Sequence, residues 1–224
     1  ATLISDSDRF AQYIQSSIIE ATINKDILMD TPISKPALLK QTFELGAAYS
    51  GNLLSLNKML GSLQDAGNTS TLAGYVNLLN ESGLLCGLQK YSVDMSRRRA
   101  SIPKFQVYNN ALKMVYTPLS FEQAIIDRKA WGHIFESAVG AYLLSQAFVH
   151  RFEVYYWRER NDEVDFILRK NGAVVAIEVK SNAEKQTEGL DRFKQMFNPK
   201  SAFIVGDGGI SAEDFFTMDI RKLF

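Results

Sequence analysis

The chain has 224 residues, 46% apolar and 22% charged, with 25 Lys/Arg balanced by 25 Asp/Glu and a single cysteine, Cys86. This is the composition of a globular protein long enough for two small domains, and its zero net charge excludes a molecule that holds nucleic acid by bulk charge. One cysteine rules out an intrachain disulfide framework or a cysteine-rich zinc site, and no apolar run nears the roughly 18–20 residues of a membrane span.

The N-terminus, Ala1-Thr-Leu-Ile-Ser-Asp6, has no basic-then-apolar signal pattern, so a cytoplasmic protein without a membrane partner is expected. Phe10, Ile14, Ile18 and Ile19 recur at helical spacing and Asp26-Ile27-Leu28 continues them, which predicts a helical segment over 1–33. No capping residue precedes Leu3 and the chain opens without Met, as expected of a fragment or of a processed or tagged chain. Prolines in Thr31-Pro32-Ile33-Ser34-Lys35-Pro36 stop one helix and start the next.

A compact helical unit is expected over 34–95. Leu38, Leu39, Phe43 and Leu45 mark one helix, and Leu56, Met59, Leu60 and Leu63 a second. A turn and cap over 65–71 lead into a third, with Leu72, Tyr75, Val76, Leu78 and Leu79, ending at Ser82-Gly83. The apolar run 84–88 then reads as a strand. Helix, turn, capped helix and strand is the order of a winged helix-turn-helix, although a three-helix bundle shares most of it. The third helix offers Asn68, Ser70, Thr71 and Asn77 but no Lys or Arg. Phosphate neutralisation supplies much of groove binding, so packing is the better reading of that helix.

Charge is unevenly spread: residues 96–150 hold seven Lys/Arg against three Asp/Glu. The centre of that excess is Arg97-Arg98-Arg99 with Lys104, the candidate phosphate contacts, although three arginines are also an ordinary solvated loop. Residues 96–130 read as wing and linker, with a strand at Phe105-Gln-Val107-Tyr108. A long helix follows over 128–148, where Trp131, Phe135, Val139 and Tyr142 make one apolar face and Glu136 sits beside it. After it come a strand at 152–157, two hairpin strands, a helix over 187–197 and a strand over 201–205. The order over 131–224 is αβββαβ.

The hairpin carries the chemistry. Asn171-Gly172 between apolar-rich runs is a strong two-residue turn signal of type I′. Such a loop sets Lys170 against Ala173 and, counting back, Asp165 against Glu178 and Glu163 against Lys180. Alternation puts Asp165, Glu178 and Lys180 on one face. Opposed residues have Cβ atoms about 4.5–5.5 Å apart, and like charges repel there, so a divalent metal is the economical reason for the pair. The plainer alternative is surface ion pairing, Glu163–Lys180 and Asp165–Arg169, worth little. Against it, the strand 173–179 is apolar on both faces, as a covered central strand is.

Glu136 on the first helix, Asp165 on the second strand and Glu178-x-Lys180 on the third resemble the PD-(D/E)xK nuclease superfamily, with Val164 in place of the usual proline. The resemblance implies Mg²⁺ or Mn²⁺ on Asp165, Glu178 and the Val179 carbonyl, and Lys180 orienting or deprotonating a metal-bound water. Ser181 and Asn182 are candidate phosphate contacts. His133 and His150 lie in no metal-binding spacing.

The chain as a whole looks like the C-terminal region of a family of predicted prokaryotic AAA+ ATPases. The segments that carry this are 18–28, 71–85, Phe135-Glu136, Tyr156-Trp157-Arg158, Glu163-Val-Asp165-Phe, Ile177-Glu-Val-Lys180-Ser and Val205-Gly-Asp-Gly208. One departure is clear: the family's Asp-Thr-Gly-Leu after an aromatic strand is replaced by Asn109-Asn110-Ala111-Leu112. No Gly-x4-Gly-Lys-Ser/Thr occurs, so an ATP site belongs by resemblance to a segment outside this chain, with 1–33 the end of its lid. The expectation is an α+β or α/β chain: a winged-helix-like domain, then a restriction-endonuclease-like domain over 131–224. Glu136, Asp165, Glu178 and Lys180 would hydrolyse phosphodiesters with Mg²⁺. DNA, the ATPase domain and a second copy of the chain are the expected partners. The alternatives are a non-catalytic DNA- or protein-binding module coupled to that ATPase, and a plain transcriptional regulator.

Overall fold

The computed structural model describes residues 6–64, 67–94, 96, 98, 100–117, 119–181 and 188–224. It is an α+β chain of two units, one comprising Ala1–Gly87 with Phe105–Leu119, the other Leu88–Lys104 with Ser120–Phe224.

In the first unit, Asp6 caps helix α1 (Ser7–Tyr13) by accepting the Asp8 and Arg9 N–H groups. The helix thus has a cap three residues after Leu3. It continues with wider turns over Ile14–Glu20 and Thr22–Ile27, as in the Leu28 N–H bonded to the Ile23 carbonyl. A wider turn carries Ile19 round to the side of Ile14, and Ile14, Ile19, Ile23 and Ile27 are all buried. They share a core with Leu39, Phe43, Leu72 and Leu79, so the segment over 1–33 belongs to the helical unit.

Helix α2 (Pro36–Ala48) opens on proline, α3 (Leu56–Ser62) is capped by Ser55, and α4 (Thr69–Glu81) by Asn68, which accepts the Thr71 N–H at 2.8 Å. Gly83, at φ +70°, turns the chain into strand β1 (Leu85–Leu88), which pairs with β2 (Lys104–Val107). Phe105 and Val107 are fully buried in the helical core, and α5 (Asn110–Met114) follows. Hence the expected linker over 96–130 is divided: its middle returns to the first unit because β2 supplies core side chains.

The second unit holds α6 (Phe121–Ile126), α7 (Arg128–His150), β3 (Glu153–Glu159), β4 (Asp162–Lys170), β5 (Ala173–Lys180), α8 (Glu188–Phe197), β6 (Ser201–Gly206) and α9 (Ala212–Thr217). From α7 to β6 this is the expected αβββαβ order. The four strands lie in chain order, with β3, β4 and β5 antiparallel and β6 parallel to β5. Asn171 (φ +50°) and Gly172 (φ +85°) form the hairpin loop, and Lys170 faces Ala173. Leu190, Phe193 and Phe197 of α8 pack on Trp157, Val164, Ile167 and Tyr91.

Residues 88–104 are held to β3 through Tyr156. Its carbonyl accepts the Tyr91 N–H at 2.6 Å and its hydroxyl donates to the Ile102 carbonyl at 2.5 Å. That attachment delivers Lys104 to the sheet.

Candidate functional site

Simple alternation does not hold along β4. Tyr155 and Trp157, two apart on β3, pair with Ile167 and Val164, three apart on β4. The extra residue makes a bulge, and Asp165 lies within it. A bulge re-aims a side chain, and Asp165 Oδ2 here accepts the backbone N–H of Val179 on β5 at 2.8 Å.

Its other oxygen faces Lys104, which is completely buried. The ammonium lies 2.5 Å from Glu136 Oε1 of α7, 3.3 Å from Asp165 Oδ1 and 3.7 Å from Glu163 Oε1. It also donates to the Asp165 carbonyl at 3.3 Å and sits 5.0 Å from the centre of the Phe166 ring. Burial alone would depress the Lys104 pKa, but attraction to Glu136, Asp165 and Glu163 outweighs it and drives the value upward. Lys104 is therefore a permanent cation, anchored by α7 and β4.

On β5, Lys180 donates to Glu178 Oε1 at 2.8 Å. Glu178 Oε2 is buried with no hydrogen-bond partner among the described residues. Burial, then repulsion by Asp165, lifts the Glu178 carboxyl to about 7 against the pull of Lys180 and Lys104. The same two causes lift Glu136 to about 8 against the pull of Lys104. Both shifts favour the protonated form, which reduces the charge the site must balance.

Glu136, Asp165, Glu178 and Lys180 are thus brought together, with the backbone of Val179 among them. Arg169, which the plainer alternative pairs with Asp165, binds Glu153 at 2.6 Å, and Glu163 lies 3.7 Å from Lys104 and 3.8 Å from Arg158. As arranged, the residues do not fit a resident divalent cation. Magnesium needs oxygens at about 2.0–2.1 Å in an octahedron, and both Asp165 oxygens already accept hydrogen bonds from protein donors. Among the described residues no group of three or more His, Cys, Asp and Glu is disposed to hold a metal.

Lys104, expected on a phosphate-binding surface, is inside the carboxylate cluster and cannot reach a phosphate from there. Its strand explains this: all four residues of β2, Lys104 to Val107, are buried. Arg98 donates to the Tyr155 hydroxyl at 3.2 Å and the Ser92 carbonyl at 2.7 Å. Arg97, Arg99 and Asn182 lie outside the described residues. The Ser181 hydroxyl lies over Gly132 of α7, where an added Cβ would be 3.0 Å away. Glu163 is the member of the cluster given no metal or catalytic role by the sequence. Its place in the motif Glu163-Val-Asp165 is the signal that marks it.

Residues 131–216 match the domain of unknown function DUF4143, a domain typically found with AAA ATPases. Residues 2–123, more than half of the chain, match the domain of unknown function DUF8612. No curated protein and no solved structure matches significantly. No helix among the described residues is long and apolar enough to cross a membrane. The chain belongs to the DUF8612 family.

Proposed function

We propose that this chain is the C-terminal part of an AAA-type ATPase. Its first unit would be a winged-helix-like module, and its second a restriction-endonuclease-like domain that recognises a partner without hydrolysing phosphodiesters. The order α2, α3, α4, β1, β2 supports the first assignment, and the αβββαβ order with converging Glu136, Asp165, Glu178 and Lys180 supports the second. The observation that carries the non-catalytic reading is the Lys104 ammonium, 2.5 Å from Glu136 and 3.3 Å from Asp165, in the space a metal would need. Fold does not dictate activity, and a site whose Glu136 and Asp165 are engaged by an internal cation suits a scaffold role.

A protein partner is favoured over DNA. Of the cations in the basic middle stretch, Lys104 and Lys113 are buried and Arg128 and Lys129 are exposed beside α6, which also exposes Phe121 and Ile126 at 65% and 82%. Apolar exposure of this kind suits protein contact, and two exposed cations are few for phosphate neutralisation. The test is incubation with single-stranded, duplex and branched DNA in Mg²⁺ or Mn²⁺. No cleavage above that of Lys180→Ala is expected. Cleavage that disappears in Lys180→Ala overturns the reading, and tight, strongly salt-dependent DNA binding moves the partner to nucleic acid.

A further inference from the structure

We infer that the outer edge of β6 takes up an extended segment of a protein partner, one that carries an apolar residue and an acidic residue two positions from it. This rests on the protein-partner reading above, but not on α6 as the place of contact. The four-stranded sheet ends differently on its two sides. Along β3 the chain covers its own edge: Tyr91 N–H donates to the Tyr156 carbonyl at 2.6 Å, and Tyr156 N–H to the Gln89 carbonyl at 3.2 Å. Along β6 it does so only at the end. The Asp207 N–H bonds to the Lys180 carbonyl of β5, whereas the Ile204 carbonyl and the Gly206 N–H bond to Ile210 on the other side. Alternation then turns the N–H and carbonyl of Ala202 and the N–H of Ile204 away from β5 as well. None of these three groups has a partner among the described residues. The chain covers no more of the edge after Ile210, because Ser211 caps α9. Such a row of donors and acceptors is matched by another extended backbone.

The side chains of that segment are selected by what lies beside the edge. An open groove of about 360 Å³ runs there, lined by Leu190 and Lys194 of α8, by Ala202, Phe203 and Ile204 of β6, and by the loop ending at Ile210. Lys194 is the one charged residue among the described residues that line it. Its side chain is 46% exposed and bonds Asp191 at 2.9 Å, which leaves further ammonium donors for a carboxylate. Leu190 and Lys194 stand one turn apart, about 6 Å along the helix. Alternate side chains of a strand share a face and repeat at about 6.6 Å. A bound strand thus sets an apolar side chain over Leu190 and a carboxylate at Lys194. A second copy of the chain is the poorer occupant. Its own edge strand, Ser201–Gly206, has no acidic residue and would leave Lys194 unmet.

The experiment titrates the whole chain into a fluorescent, alternating threonine–valine peptide in which one valine is replaced by glutamate, read by anisotropy. Two control peptides carry lysine in place of that glutamate, or N-methyl groups along the backbone. Wild type is expected to bind the glutamate peptide and to bind each control about tenfold more weakly or worse. Ala202→Pro removes an N–H that the sheet does not use, so it should fold and lose about tenfold in affinity. Lys194→Glu should reverse the preference toward the lysine peptide. If Ala202→Pro does not fold, Lys194→Glu and the methylated peptide decide the matter. The inference fails if wild type binds no glutamate peptide, if it does not discriminate among the three, or if Lys194→Glu leaves the preference unchanged. A wild-type dimer that Ala202→Pro dissociates gives the edge to a second copy and also overturns it. DNA cleavage that disappears in Lys180→Ala overturns the non-catalytic reading alone, and failure of the peptide overturns this inference alone.

Discussion

Asp165 crosses from β4 to β5 and accepts the backbone N–H of Val179 at 2.8 Å, with the Lys104 ammonium on its second oxygen at 3.3 Å. One carboxylate thus ties two strands and a buried cation. Asp165→Asn keeps the shape but turns one acceptor into a donor, which must face either the Val179 N–H or the ammonium. Unfolding free energy should fall by about 2–4 kcal/mol, measured by urea denaturation. An unchanged midpoint would mean that neither bond contributes.

Lys104 is the other end of that tie. Lys104→Met leaves Glu136 and Asp165 buried without their cation and should cost about 3–5 kcal/mol. Glu136→Gln in the same chain replaces one stranded carboxyl by a neutral amide and should recover part of the loss, most of all at pH values where Glu136 would ionise. A double-mutant cycle is expected to give a coupling above about 1 kcal/mol between the two positions. Strict additivity would deny the pair.

The raised carboxyls set the sign of a pH effect. Glu136 moves from 4.5 to about 8 and Glu178 from 4.5 to about 7, burial being the first cause in each. Between those values the folded chain holds protons that the unfolded chain has released. The contribution of these two groups is complete below about 4.5, falls as pH rises, and is lost above about 8. Urea midpoints measured over that range should therefore decline, and Glu136→Gln should flatten the upper part. A rise in stability attributable to these groups would contradict the assignment.

Two glycines should respond in opposite directions. A Cβ on Gly189 of α8 would lie 2.3 Å from the Glu163 carbonyl oxygen and 2.8 Å from its nitrogen, so Gly189→Ala must push the helix off β4. About 1–3 kcal/mol should be lost. Gly74 is exposed within α4, and a Cβ there meets nothing within 4 Å. Gly74→Ala should stabilise the first unit by about 0.5–1 kcal/mol. Thermal melting of the two variants checks both signs.

Much of this was legible locally. The Asn171-Gly172 turn, the Lys170–Ala173 register and the Asn68 cap follow from residues within a few positions of one another. The bulge at Asp165 was not legible, because it is a property of the β3–β4 pairing and leaves no mark in the alternation of β4 itself. Pairing Lys104 with Arg97–Arg99 as one basic surface was reasonable from sequence spacing, but spacing says nothing about which side of a strand meets the core.

The amino-acid sequence by itself determined the αβββαβ order of the second unit and the Asn171-Gly172 hairpin, since these depend on periodicity and turn chemistry acting over short stretches; that Glu136 joins Asp165, Glu178 and Lys180 was implied only by the resemblance to the nuclease superfamily. The tertiary structure alone decided what those carboxylates face. Lys104 and Asp165 are 61 residues apart, and their contact depends on Tyr156 holding the 88–104 segment against β3. Charge inventory can count an ammonium, but burial and distance determine whether it meets solvent or a cluster of carboxylates.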